Sequence, residues 1–236
     1  MSPQVPTLHY FRFPGRALAA RVALFNALGT EGWKDERHSL PRFKKDQQQQ
    51  LHQDSERLND GEKGNFVTSN LPQLNLPCGL KVTQSHAIAR YAGKLDGQGA
   101  NAPFHVRGLY PQIAKDALLV DEAVAIVDQI LLLTPKDDDK ETRLRKRELY
   151  RQTGFLRKGL EILEGRISDS GGPFLLGEQL TVADLYVRSP LCDVFETGQF
   201  EGVAAEYLHE FPCVQRCGAA VLDHPLVQAY KKAYKT

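Results

Sequence analysis

Val5-Pro6-Thr7-Leu8-His9-Tyr10-Phe11-Arg12-Phe13-Pro14-Gly15-Arg16 opens the chain as a strand that turns into a helix. Residues 5–11 are short and β-prone, and Phe13-Pro14-Gly15 has the composition of a turn. Residues 16–28 then place Leu18, Val22, Phe25 and Leu28 at helical spacing before Gly29, a helix-stop residue. Residues 33–40 read as a second strand, so the opening predicts a βαβ unit.

Further along, residues 44–65 are polar, with four consecutive glutamines and only Leu51 and Leu58 as large apolar residues; they predict a surface loop or solvated helix. Residues 71–76 and 80–82 alternate around Pro77-Cys78-Gly79, as a hairpin does. Thr83 or Gln84 then opens a helix through Lys94, and residues 95–107, with two glycines and a proline, read as a linker. Everything beyond reads as helical. Ile113, Ala117, Val120, Val124, Val127 and Leu131 predict one apolar stripe on a long helix. Leu156, Leu160, Leu163 and Ile167 form a second, ended by Gly171-Gly172-Pro173. In Leu180-Thr181-Val182-Ala183-Asp184-Leu185, Thr181 is an N-cap, Asp184 sits at the third helical position, and Leu180 and Leu185 occupy the hydrophobic-staple positions. Helices around 207–220 and 225–234 complete the predicted second domain.

The 236 residues allow one large domain or two modest ones, and 42% apolar with 25% charged residues is the composition of a globular chain. Thirty Lys and Arg against 29 Asp and Glu leave +1, which offers no global attraction to nucleic acid or an anionic membrane. Residues 1–7 lack a secretory pattern, and no stretch approaches the roughly 18 apolar residues of a spanning helix. The expectation is a cytoplasmic protein with neither a nucleic-acid nor a membrane partner. Cys78, Cys192, Cys213 and Cys217 are too sparse for a disulfide scaffold, and there is no CxxC pair.

Some motifs resemble chemistry by letter only. Gly97-Gln98-Gly99-Ala100-Asn101-Ala102 matches a dinucleotide loop, but it follows a helix and meets Pro103 instead of joining a strand to a helix. His209, Cys213 and Cys217 are spaced by four, yet Pro212 interrupts them, and no metal is expected. Residues 140–158 carry eight Lys or Arg interleaved with acids, the pattern of a solvated helix.

Five segments fall in one order: Thr7-Leu-His-Tyr-Phe-x-x-x-Gly-Arg16-Ala, Leu71-Pro72-x-Leu, Thr83-Gln-Ser-His-Ala-Ile-Ala-Arg-Tyr91, Gly108-Leu-Tyr-Pro111 and Leu180-Thr-Val-Ala-Asp-Leu-Tyr186. Together they resemble the soluble glutathione transferases, most of all the tyrosine-type, sigma-like branch, over nearly the whole chain. The resemblance implies a thioredoxin-like N-terminal domain (1–95), an all-helical C-terminal domain (108–236) and a homodimer. It implies glutathione as co-substrate, with no tightly bound cofactor.

By the same resemblance Tyr10 is the catalytic residue and Phe11 and Arg16 flank it. Gln84 and Ser85 hold the γ-glutamyl end. Leu71 lends its backbone to the cysteinyl part, ahead of a cis Pro72. Asp121 reaches the ammonium of glutathione in the neighbouring subunit. Where the sigma-like pattern has a tryptophan and then a lysine, this chain has Arg42-Phe43-Lys44-Lys45, so Phe43 stands for the former and Lys45, or its neighbour Lys44, for the latter. An acceptor pocket between the domains would draw on Phe11, Phe13 and Tyr110.

The chemistry agrees. A free thiol titrates near about 8.5, so catalysis must stabilise the thiolate, and a tyrosine hydroxyl aimed at sulfur does so. The reading is conjugation of glutathione to small apolar electrophiles, as in detoxification. The alternatives are a glutathione-dependent isomerase of the prostaglandin-synthase type and a non-catalytic scaffold with the same fold.

Overall fold

The computed structural model describes residues 5–39, 70–95, 106 and 108–235. It divides into two compact units, Met1–His105 and Val106–Thr236. Residues 44–65, Lys45 among them, the adjoining Phe43, and the Gly97–Ala102 motif lie outside the described residues.

In the first unit, β1 (Thr7–Phe11) leads through a 3-10 turn (Gly15–Ala17) into α1 (Leu18–Leu28) and back to β2 (Lys34–His38). β3 (Gln73–Asn75), β4 (Lys81–Thr83) and α2 (Ser85–Lys94) follow. The sheet order is β2-β1-β3-β4, with β2 parallel to β1 and the other two pairs antiparallel. Only the parallel pair needs a crossover, and α1 provides it. α1 is apolar on nearly every side and buried from Leu18 to Ala27, and it packs along α2. It ends where Gly29, at φ +69°, donates its N–H to the Phe25 carbonyl at 2.9 Å. The buried Trp33 indole donates to the Gly29 carbonyl at 2.9 Å and returns the chain toward β2.

The second unit comprises α3 (Ala114–Leu132), α4 (Lys140–Gln152), α5 (Phe155–Asp169), α6 (Val182–Tyr186), the kinked segment Val187–Cys192, α7 (Asp193–Glu196), a 3-10 turn (Ala205–Glu210), α8 (Pro212–Asp223) and α9 (Pro225–Tyr234). α5 buries the four residues of its predicted stripe. α3 departs from its own. Ile113 is 66% exposed and caps the helix instead of packing, while the buried face is Val120, Ala123, Val124, Ile126, Val127 and Ile130. On α5, Gly159 is what lets α3 and α5 approach, since a Cβ there would meet Ile130 Cδ1 of α3 at 2.9 Å.

The helix expected around 207–220 is two elements. Pro212 has no N–H to continue a helix, so it starts α8 and leaves the preceding turn 3-10. His209 and Cys213 thereby fall on different elements, and Cys217 is buried with its thiol donating to Asp184 Oδ1 at 3.5 Å. Burial pushes the neighbouring Cys192 thiol up to about 12. In α4 four basic residues are ion-paired: Arg143 and Arg147 with Glu201, Lys146 with Asp137, and Arg151 with Glu148. No helix among the described residues is long and apolar enough to cross a membrane.

Asp184 closes the cap of α6. Its fully buried carboxylate accepts the N–H groups of Leu175 and Thr181, both at 2.7 Å, and the Thr181 hydroxyl at 2.8 Å, while Thr181 Oγ1 accepts from Ala183. Burial raises its pKa against these donors. Asp184→Ala should destabilise the second unit by about 3 kcal/mol or more, because it strands two buried backbone donors, and Asp184→Asn should do less harm. Urea unfolding followed by far-UV circular dichroism measures the difference.

Candidate functional site

Strand register decides which residues meet. In the last paired row of the antiparallel strands, His9 faces Gln73 and Gln73 faces Thr83. The next residue of each chain, Tyr10, Pro72 and Gln84, therefore emerges at the same end of the sheet. Three segments far apart in sequence converge there: the turn after β1, the Leu71-Pro72 peptide, which is cis, and the start of α2.

Tyr10 follows the inward alternation set by Leu8, and its ring is 4% exposed. Its hydroxyl lies at the protein edge of the turn and accepts the Arg16 N–H at 3.1 Å. Among the described residues that is the hydroxyl's one hydrogen bond. A phenol that accepts from the backbone still has its own proton to donate. Burial raises the Tyr10 pKa, with the Arg16 amide and the Arg16 and Arg21 charges opposing, so the group stays a neutral donor. Around it the Tyr10 ring meets Phe11 at 5.1 Å and, edge-on, Phe13 at 5.6 Å; Phe11 and Phe13 stack on each other.

Two residues that were not among the expected site residues hold this geometry. Gly15 has φ +42°, and a Cβ on it would come 2.7 Å from the Tyr10 hydroxyl oxygen and 2.8 Å from the Phe13 ring. Arg21, 1% exposed, donates to the carbonyls of Phe11 (2.7 Å) and Phe13 (2.9 Å) and to Asp35 Oδ1 on β2 (3.0 Å), with its guanidinium 5.5 Å from the Tyr10 ring centre. Arg37 takes the other Asp35 oxygen at 2.7 Å. The turn carrying Tyr10 is thus tied to both neighbouring elements by one buried cation. The available signal was Arg21 itself, the one charged residue in the α1 sequence.

At the start of α2, Gln84 has φ +74° and ψ +107°, a strained conformation for a residue with a side chain. It is exposed and makes no side-chain cap, so the plain capping role is not what it does here. Ser85, 4% exposed, begins the helix, whose first-turn N–H groups and positive dipole end favour an anion. Arg16 and Leu71 are half-buried. Register and the turn bring Tyr10, Phe11, Arg16, Leu71, Pro72, Gln84 and Ser85 to one end of the first unit. Asp121 belongs to the second, on α3, where its Oδ2 accepts the Tyr110 hydroxyl at 3.1 Å. Phe43 and Lys45 fall outside the described residues.

Comparison with known proteins adds the following. Residues 126–233 match the family model described as Glutathione S-transferase, C-terminal domain. S-crystallin 4 of Enteroctopus dofleini is 25% identical over 238 residues, covering 95% of this chain and 94% of the relative. Prostaglandin synthase D of Nilaparvata lugens superposes with a TM-score of 0.67 at 17% identity, over 97% of this chain and 98% of the other. The glutathione S-transferase from Ascaris lumbricoides gives 0.65 at 20% identity, over 97% of each chain. The fold is therefore a thioredoxin-like N-terminal domain followed by an all-helical C-terminal domain of the glutathione-transferase type.

Breaking the Arg21–Asp35 pair, both of whose side chains are nearly inaccessible, should be severe. Arg21→Ala should lower unfolding stability by about 3–5 kcal/mol. Asp35→Asn should lower it less, since the carbonyl bonds of Arg21 survive. Both are read by chemical denaturation.

Proposed function

We propose that this chain is a glutathione transferase of the tyrosine type, in which the Tyr10 hydroxyl stabilises the glutathione thiolate for attack on small apolar electrophiles. The observation that carries the reading is the Tyr10 hydroxyl, which accepts the Arg16 N–H and keeps its own proton for a further acceptor, beside Pro72 and the open start of α2.

A hydrogen bond from Tyr10 to a charged sulfur is worth roughly 1.5–3 kcal/mol, which lowers the thiol pKa by about one to two units. The thiol proton leaves to solvent, the sulfur lone pair forms the new carbon–sulfur bond, and the electrophile either expels a leaving group or takes up a proton. Ser85 and the first turn of α2 hold the γ-glutamyl carboxylate, Leu71 pairs through its backbone with the cysteinyl unit, and Gln84 completes that end. Phe11 and Arg16 flank the sulfur position. Phe43 and Lys45 take the glycyl side. Asp121, its carboxylate oriented by Tyr110, reaches the ammonium of glutathione in the neighbouring subunit of a homodimer. Leu118, Leu132 and Leu149, large apolar side chains exposed on α3 and α4, support that dimer.

Two other readings keep the fold. Similarity to a prostaglandin synthase favours an isomerase that uses the same thiolate and returns glutathione unchanged. Similarity to an S-crystallin favours a structural protein without turnover.

Immobilised glutathione and a chlorodinitrobenzene assay separate the three: retention with conjugation supports the transferase, retention without conjugation the isomerase, and no retention the scaffold. Tyr10→Phe should cut kcat about 10- to 100-fold while glutathione affinity changes less than about twofold. An equal loss of both would assign Tyr10 to binding. Because burial raises the Tyr10 pKa, its phenolate should form only at higher pH than that of a free tyrosine. Ultraviolet difference titration of the wild type against Tyr10→Phe checks this, and the conjugation rate should rise with pH through thiol ionisation with no fall from Tyr10.

A further inference from the structure

At the opposite end of the same sheet, one row of paired residues crosses all four strands. Lys34 on β2 faces Thr7 on β1, Thr7 faces Asn75 on β3, and Asn75 faces Lys81 on β4. Residues opposite one another share a face of the sheet, so all four side chains stand on the face turned away from Leu8 and Tyr10. Lys34 and Lys81 are three strand spacings apart, about 14 Å between backbones, a span that two lysine side chains bridge by leaning inward over Thr7 and Asn75.

A cavity of about 320 Å³ lies over this row. Its described lining holds the four row residues together with apolar walls that include Val5 and Leu76, and none of those residues is acidic. The polar chemistry offered there is that of donors. Lys34 has no ion-pair partner among the described residues, and its backbone is fixed by an N–H bond to the Pro6 carbonyl at 2.9 Å. Asn75 is oriented on both sides: its Oδ1 accepts from Gln73 Nε2 at 2.8 Å, and its Nδ2 lies 3.0 Å from His9 Nε2. That leaves the second Nδ2 hydrogen for a ligand. The Thr7 hydroxyl reaches the Val5 carbonyl only at 3.4 Å, a long contact that a nearer anionic oxygen would displace. The pKa of His9 next door is lowered, first by burial and then by His38, with Glu36 opposing and Lys81 adding a smaller push in the same direction.

We propose that this row binds a small phosphate monoester, its dianionic head bracketed by Lys34 and Lys81 and donated to by Asn75 and Thr7, with its organic part against Val5 and Leu76. The apolar walls distinguish an ester from free phosphate. The site is separate from the Tyr10 end: Thr7 lies three residues, about 10 Å, back along β1 and on the other face.

The test is a titration of the full-length, isotope-labelled protein, followed by amide and side-chain NMR shifts, with n-butyl phosphate, inorganic phosphate and n-butanol in separate arms. The expected result is saturable shifts at Thr7 and the Asn75 side-chain amide, tightest for n-butyl phosphate, weaker for inorganic phosphate and absent for n-butanol. Saturating glutathione should leave them unchanged. Lys34→Gln with Lys81→Gln should weaken n-butyl phosphate about tenfold or more, and Lys34→Arg with Lys81→Arg should retain binding. The proposal is overturned if the wild type shows no saturable shift at Thr7 and Asn75, if n-butanol matches n-butyl phosphate, if glutathione displaces the ester, or if the double glutamine variant binds as well as the wild type. Activity plays no part in these readouts, so failure here leaves the Tyr10 reading standing, and the reverse.

Discussion

Everything at the proposed catalytic end depends on how β1 is held. It pairs on both sides, parallel to β2 and antiparallel to β3, and this double registration decides that Tyr10, Pro72 and Gln84 surface together. A slip of one residue would turn Tyr10 to the other face of the sheet. The strand itself is only five residues long, so backbone pairing alone is a modest restraint. Arg21 adds the missing stiffness by bonding the carbonyls of Phe11 and Phe13 just past the strand and anchoring to Asp35 on β2.

A buried ion pair is a weak source of net stability, because desolvating two charges offsets most of their attraction. Its value here is positional. The guanidinium presents donors in a fixed plane, so it sets where two carbonyls and one carboxylate lie relative to one another. Gly15 contributes by being small: the turn can pass close enough to the phenol for the Arg16 amide to reach it only where no Cβ intervenes. The Tyr10 hydroxyl is consequently oriented by backbone atoms, which differ little in position when surface side chains move.

Local patterns in the chain foretold the local elements well. The alternation of residues 71–76 and 80–82 became β3 and β4, the four-residue spacing from Leu156 to Ile167 became the buried face of α5, and Thr181 and Asp184 cap as their spacing requires. Errors arose where tertiary context overrides period. Ile113 fits a helical stripe by spacing, but it precedes the first turn of α3, where nothing packs over it, and Ile126 and Ile130 face Gly159 instead. Of the site, the motif order carried Tyr10, Pro72, Gln84 and Ser85. Gly15 was legible as a turn residue but not as a neighbour of the Tyr10 hydroxyl, and Arg21 and the Lys34–Lys81 row were not legible, because their meaning depends on which strands are neighbours and in what register. Gln84 was legible as a helix start, whereas its left-handed backbone follows from the junction with β4 and has no signature in a single sequence.

β2 reads Lys34-Asp35-Glu36-Arg37-His38, every position ionisable, and it forms one margin of the four described strands. A margin of unpaired amides and carbonyls invites a second sheet to dock, and fibrils grow from such contacts. Docking a like strand here would force lysine, arginine and carboxylate heads out of water at each step, while Asp35, tied inward by Arg21 and Arg37, keeps this protective fringe folded onto its own molecule. The charged margin therefore disfavours annealing of one sheet onto another, a colloidal property written into the strand that lies beside the one carrying Tyr10.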